Sequence, residues 1–174
     1  EDIAMMEINV SCPNVKEGAI AFGQKADALY NITSEIKKHA KQPIIMKLSP
    51  NVTDITEMAK AAEAAGADAI SLINTLTGMK IDIHRRKFAL ANKTGGMSGP
   101  AIKPVAVRMV YQAAHAVKIP VIGMGGIASA EDALRIYAQT ELYTEISKRK
   151  SKKERQMLIE LFDYINDFNN LSRI

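Results

Sequence analysis

Three consecutive stretches decide the fold: the apolar run Pro43-Ile44-Ile45-Met46-Lys47-Leu48, the helical pattern Asp54–Ala65 closed by Gly66, and the apolar run Ala69-Ile70-Ser71-Leu72-Ile73. Short apolar runs on either side of a capped helix read as a βαβ unit, whose two strands lie parallel in one sheet. Thr53 and Asp54 offer oxygens to the first free N–H groups of the helix, and Gly66 supplies its stop. The rhythm continues outward. Ala4–Val10 and Pro120–Met124 read as further buried strands, and Lys25–Ala40 and Ala101–Val117 as helices. Another helix begins near Ala130-Glu131-Asp132, with Ser129 as its cap. No internal repeat exists beyond this alternation.

Each strand ends in polar residues or glycine: Asn9 to Asn14, Lys47-Leu48-Ser49, Asn74-Thr75 and Gly123-Met124-Gly125-Gly126. Ligands of parallel α/β sheets and barrels bind outside the carboxyl ends of the strands, so the four clusters point to one pocket. The segment from Leu76 to Pro100 reads as an active-site loop, with Ile81-Asp82-Ile83 and Lys87–Leu90 as short extensions.

The chain has 174 residues, 47% hydrophobic, enough for one sizeable core but fewer than the about 250 typical of a complete (β/α)8 barrel. A single cysteine excludes a disulfide framework and a cysteine-rich metal site, and points to a reducing, cytoplasmic compartment. The apolar runs are strand-sized and the acidic start is unlike a signal peptide, so a soluble protein with no membrane segment is expected. The formal charge of +4 gathers towards the end, at Lys148-Arg149-Lys150-Ser151-Lys152-Lys153. That run lacks interleaved aromatics and reads as a solvated helix start or linker, with no nucleic-acid role. After Leu134 the strand-helix rhythm breaks. Gln156–Phe168 has helical spacing in Met157, Leu158, Leu161, Phe162, Ile165 and Phe168.

Several residues carry a chemical and a bland reading side by side. Cys12 is a base or nucleophile if its pKa is lowered, or a small buried hydrophobe. Lys47, closing an apolar strand, faces an anion or polar ligand, or snorkels to water at the sheet rim. Asn74-Thr75 pair with a heterocycle or carboxylate, or cap a turn. Gly123, Gly125 and Gly126 bring backbone N–H groups to a phosphate, or serve geometry alone; Gly95-Gly96 and Gly99 offer a second set of amides. His39, His84 and His115 lack paired acids or metal-like spacing and read as surface or structural.

Taken together, Asn9-Val10-Ser11-Cys12-Pro13-Asn14, Met46-Lys47-Leu48-Ser49-Pro50, Ile73-Asn74-Thr75, Gly95-Gly96-Met97-Ser98-Gly99-Pro100 with Ile102-Lys103-Pro104, and Gly123-Met124-Gly125-Gly126-Ile127 resemble class-1 dihydroorotate dehydrogenase. The resemblance runs in order from about Met5 to Leu134. Asn51-Val52-Thr53-Asp54-Ile55 and Leu72–Leu76 are most similar to the NAD-linked subtype. It implies a partial (β/α)8 TIM barrel of about four βα units, equivalent to the family's fourth to seventh strands. Residues 1–134 would form this FMN-binding part, and residues 135–174 a divergent basic linker and helical tail. It further implies FMN-dependent oxidation of dihydroorotate to orotate in pyrimidine biosynthesis. Cys12 would take the proton from C5 as hydride leaves C6 for the flavin. Asn9, Asn14, Asn74 and Thr75 would hold the pyrimidine; Asn9, Lys47, Ile73, Gly99, Gly125 and Gly126 would hold FMN. Val15–Gln24 would form a lid carrying Cys12 over the substrate. The partners implied are an iron-sulfur flavoprotein electron-transfer subunit and, in the full-length family, further copies of the chain.

The family's first three βα units and the Gly-Thr pair of its eighth strand have no counterpart in these residues, so a fragment inactive by itself is expected. The alternatives are another FMN barrel acting on reduced pyrimidines, similar to dihydropyrimidine dehydrogenase, and a non-catalytic partial barrel serving as an assembly element.

Overall fold

In the computed structural model the described residues are 3–11 and 23–137. Cys12, Asn14, most of the expected lid and the tail beyond Tyr137 lie outside them. The order is β1 (Met6–Asn9), α1 (Ala26–His39), β2 (Ile44–Lys47), α2 (Ile55–Ala64), β3 (Ala69–Leu72), an excursion of four short strands, α3 (Lys103–Ala116), β8 (Val121–Gly123) and α4 (Ala130–Tyr137). The strands β1, β2, β3 and β8 pair in that order, all parallel, as the alternation of strand and helix requires.

Register sorts the side chains onto two faces. Met6, Ile44, Ile70 and Val121 alternate with Glu7, Ile45, Ser71 and Ile122 along the paired strands. The first set meets the helices. Ile44, Met46, Ile70 and Leu72 are fully buried there with Leu29, Ile55 and Val110. The opposite face carries Glu7, Asn9, Lys47 and Ser71, so polar chemistry lies on the side that the helices leave open.

The caps fall where the residue types place them. The Asp54 carboxylate accepts from the Thr56 N–H at 2.8 Å, and Gly66, at φ +92°, donates to the Glu63 carbonyl. The Ser129 hydroxyl accepts from the Asp132 N–H and caps α4. The expected helix from Ala101 to Val117 begins instead as a 3-10 turn, Pro100–Ile102, before α3 proper. Pro104 then falls in the first turn of α3, where its missing N–H has no partner to lose.

Two acidic side chains tie helix-to-strand junctions together. Asp68 accepts from the Ile44 N–H at 2.8 Å and pairs with Lys37 at 2.5 Å, joining β2, α1 and the start of β3. The Lys37 hydrogen bond, and then that from Ile44, hold its carboxyl below the usual range. Glu63 accepts from the N–H groups of Lys118 and Ile119 and fixes the entry to β8.

The segment 76–97 is built as ladders rather than as a bare loop. Leu76–Met79 (β4) pairs antiparallel with Thr94–Met97 (β7), and Ile81–Asp82 (β5) with Lys87–Phe88 (β6). Gly95 and Gly96 therefore sit inside a strand, which removes them as a second phosphate-facing turn. The Leu90 side chain fills the space beside Gly95, and the Thr75 side chain occupies the position that a Cβ on Gly96 would take.

The helix α4 runs through Tyr137, and its Ile136 is buried in the core. A Cβ on Gly123 would collide with Ile136 and crowd Val110. Gly123→Ala is therefore expected to destabilise the fold by about 1–3 kcal/mol, the usual range for overpacking. A urea midpoint equal to that of the parent would contradict the packing of α4 on β8.

Candidate functional site

The carboxyl ends of β1 and β3 meet through their terminal amides. Asn9 Oδ1 accepts from Asn74 Nδ2 at 2.9 Å, from the Ser11 N–H at 3.1 Å and from the Ser11 hydroxyl at 3.2 Å. Asn74 Oδ1 in turn accepts from the Thr75 N–H at 2.8 Å. The backbone continues the rim, since the Asn74 N–H donates to the Leu48 carbonyl and the Ile73 N–H to the Met124 carbonyl.

Lys47 lies beside Asn9 in register and is 24% exposed. It neither snorkels free nor waits for a ligand alone. Its ammonium lies 3.1 Å from Glu7 Oε1, while the Ser71 hydroxyl donates to Glu7 Oε2 at 2.8 Å. Burial acts to raise the Glu7 carboxyl, but the hydrogen bonds from Ser71 and Lys47 outweigh it and hold the group below its ordinary range. The result is an ionised pair spanning three strands on the open face.

The glycine turns form a second group at the start of α3. Gly99, Gly125 and Gly126 have φ of +93°, +125° and +73°, which L side chains rarely adopt. A Cβ on Gly126 would stand 2.7 Å from the Gly99 carbonyl oxygen and 2.9 Å from the Lys103 nitrogen. Buried Ile73 packs beside Gly125, so four of the expected cofactor residues converge. The turn after β8 is pinned from behind: Asp132 accepts from Lys103 Nζ at 2.7 Å, from Arg135 at 3.0 Å and from the Ala128 N–H at 3.2 Å. The Lys103 hydrogen bond above all holds the Asp132 carboxyl low, against the opposing effect of burial.

Thr75 also ties the end of β3 to the excursion. Its side chain packs on Gly96, and its carbonyl accepts from Asn51 Nδ2 at 3.0 Å. Asn51 Oδ1 accepts from the Thr77 N–H at 2.9 Å, so Asn51 clamps the link between β3 and β4. Ser11, Gly23, Gln24, Ser49, Asn51, Thr77 and Thr94 line a cavity of about 260 Å³ beside the amide cluster. Sequence reasoning missed Asn51, Glu7, Ser71 and Asp132 as parts of the site. For Glu7 a signal existed, since it shares a strand face with Asn9 two residues later.

Among the described residues no group of His, Cys, Asp or Glu is placed to hold a metal ion, and no helix is long and apolar enough to cross a membrane. The groups present fit a flavin mononucleotide: amide donors and an ammonium for a polar ring edge, and a glycine turn at Gly99 beside Gly125 and Gly126. Among the described residues no heavy atom lies within 4 Å of a Cβ built on Gly99.

A family model described as dihydroorotate dehydrogenase matches residues 2–161. The chain belongs to this family. It is 75% identical over 134 residues to the catalytic subunit of dihydroorotate dehydrogenase B (NAD(+)) from Lachnoclostridium phytofermentans, covering 77% of this chain and 45% of that one. The corresponding subunit from Alkaliphilus oremlandii is 65% identical over 133 residues, with 76% and 44% covered. That of Halalkalibacterium halodurans is 59% identical over 134 residues, with 77% and 44% covered. The chain thus spans less than half the length of the curated relatives it matches. A crystal structure of the Eimeria tenella enzyme of this family in complex with ferulenol superposes with a TM-score of 0.63 at 20% identity, over 78% of this chain and 42% of that one. The architecture is accordingly the family's α/β fold, in the form of a partial TIM barrel.

The Glu7 shift fixes the sign of a pH effect. A carboxyl whose folded pKa is depressed stabilises the fold above its unfolded pKa of about 4.3, and that contribution is lost as pH falls through the folded value. Glu7→Gln is expected to lower the urea midpoint at pH 7 and to flatten its decline between about pH 5 and pH 3. Parallel midpoint curves for the parent and Glu7→Gln would show that Glu7 carries no such linkage.

Proposed function

We propose that this chain supplies the proton-abstracting half of an FMN-dependent dihydroorotate dehydrogenase, oxidising dihydroorotate to orotate for pyrimidine biosynthesis, and that it does not turn over alone. The observation that carries this reading is the Asn9–Asn74 hydrogen bond, with Lys47 in register beside Asn9. It gathers amide donors and a cation from three strand ends around one spot, as a planar, amide-rich pyrimidine requires.

In this reading FMN, when bound, supplies the two-electron acceptor. The chain's own residues do the rest. Asn9, Asn14, Asn74 and Thr75 orient the pyrimidine ring. The Cys12 thiolate takes the proton from C5. Lys47, balanced by Glu7, presents positive charge to the ring edge of the cofactor. Gly99, Gly125 and Gly126 offer backbone N–H groups to its phosphate, and Ile73 packs against its ring from the core side. The working enzyme is a cytoplasmic oligomer that passes electrons to an iron-sulfur flavoprotein subunit. The catalytic-subunit naming of the NAD-linked relatives supports a separate electron-transfer subunit.

Flavin affinity needs ring contacts, phosphate donors and closure acting together, so the isolated chain is expected to retain little FMN and to leave dihydroorotate unoxidised. Flavin absorbance after gel filtration, followed by anaerobic addition of dihydroorotate, measures both. A yellow monomer bleached by the substrate would show that the half-barrel suffices.

Residues 1–137 placed between the first half and the eighth βα unit of a relative should restore reduction. In that fusion Cys12→Ala should stop it while FMN stays bound. Cys12→Ser should act only at higher pH, because a hydroxyl is harder to ionise than a thiol of reference pKa about 8.5. Near-normal rates in Cys12→Ala at neutral pH would remove Cys12 from the reaction.

A further inference from the structure

Among the described residues Asp132 is the only buried charged side chain, at 3% exposure. Its two oxygens serve different elements. Oδ1 accepts from Lys103 Nζ at 2.7 Å and from Arg135 at 3.0 Å, while Oδ2 accepts from the Ala128 N–H at 3.2 Å. Lys103 opens α3, and Ala128 follows the turn of Gly125 and Gly126. A single carboxylate on α4 therefore ties that turn to the start of α3.

The tie lies where the two glycine turns touch. A Cβ on Gly126 would meet the Gly99 carbonyl oxygen at 2.7 Å and both the nitrogen and the Cβ of Lys103 at 2.9 Å. The Ile102 N–H donates to the same Gly99 carbonyl at 3.1 Å and joins the first turn to the same helix start. Backbone N–H groups hold a phosphate well only when their spacing is set before it arrives, because a misdirected donor contributes little. Glycines bring no side chains to hold that spacing, so another residue must.

A helix cap alone does not explain this arrangement. The Ser129 hydroxyl accepts from the Asp132 N–H, as in a capping box, but there the acidic side chain returns to the N–H of the cap residue itself. Asp132 passes over Ser129 to Ala128 and reaches across to α3. Nor does its charge oppose an anion nearby, since Lys103 and Arg135 set two cations against one carboxylate. We propose that Asp132 is a positioning residue for the cofactor phosphate, holding the turn of Gly125 and Gly126 against the start of α3 and so setting the spacing of the backbone N–H groups of Gly99, Gly125 and Gly126. This role rests on the reading of those glycines as the phosphate side of the cofactor site.

The test uses the fusion described above, freed of flavin, and compares the binding of FMN with that of riboflavin, which lacks the phosphate, by flavin fluorescence. Asp132→Asn keeps the shape of the side chain and deletes its charge. It should weaken FMN roughly tenfold and riboflavin less than about twofold. Lys103→Met cuts the same tie from the α3 side and should do likewise, and the double variant should bind FMN no more weakly than the weaker single one. Removing a negative charge would by itself strengthen phosphate binding, so the sign separates positioning from simple electrostatics. Tighter FMN binding, an equal loss of both flavins, or additive losses in the double variant would each overturn the role. A preference for FMN that survives Asp132→Asn overturns it and leaves the phosphate site standing, whereas a parent fusion that binds riboflavin as tightly as FMN removes both.

Hydrogen exchange on the full chain gives a readout that needs neither flavin nor fusion. In Asp132→Asn, with its circular dichroism unchanged, the amides of Ala128 and Ile102, both hydrogen-bonded in the parent, should exchange faster together. Lys103→Met, at the more exposed end of the ion pair, provides the same two readouts should Asp132→Asn fail to fold. Faster exchange confined to α4 is the result expected of a helix cap alone and counts against the tie.

Discussion

Because β1, β2, β3 and β8 all run in one direction, no tight hairpin can join neighbours within this sheet, and each link must return along its outside. The helices therefore gather on one face, against Ile44, Met46, Ile70 and Leu72. Every strand then delivers its last residue to the same rim. Asn9, Lys47 and Asn74, distant in sequence, become neighbours through this constraint alone. The site is a product of direction and register before it is a product of any single side chain.

The same alternation explains how Glu7, Lys47 and Ser71 coexist with a dry core. They occupy the strand face away from the helices, where each polar atom can find a partner from the next strand. At the junctions Asp68, Glu63 and Asp132 do comparable work with backbone N–H groups. Carboxylates at the turns let the connections stay short and fixed, and this keeps the rim residues within hydrogen-bond distance of one another.

Much of this was legible in the residues. The strand and helix rhythm, the Asp54, Gly66 and Ser129 caps and the polar strand ends depend on local chemistry, which a sequence displays directly. The partial-barrel architecture and the family followed from motifs at those strand ends. What escaped depended on partners remote in sequence. Glu7 meets Ser71 across 64 positions, and Asn51 reaches Thr75 and Thr77 across 24 and 26. Such pairs require a register before they can be seen. The β4–β7 ladder escaped for another reason: Leu76–Met79 and Thr94–Met97 contain three glycines and no long β-branched run, so their pairing is imposed by packing on Thr75 and Leu90 rather than by propensity. Gly95-Gly96, legible as a phosphate turn, was claimed by that ladder.

The fit of Ile136 over Gly123 has a genetic consequence. Position 123 has no room of its own, and the space it lacks is held by a side chain thirteen residues later. A larger residue at 123 becomes acceptable only after Ile136 has been shortened, and a shortened Ile136 leaves a void that a larger residue at 123 can fill. The two positions are therefore epistatic: each substitution harms the fold alone and is rescued by the other. Variation in a population of such chains should pass through this pair jointly, so that the junction of β8 and α4 changes in coupled steps.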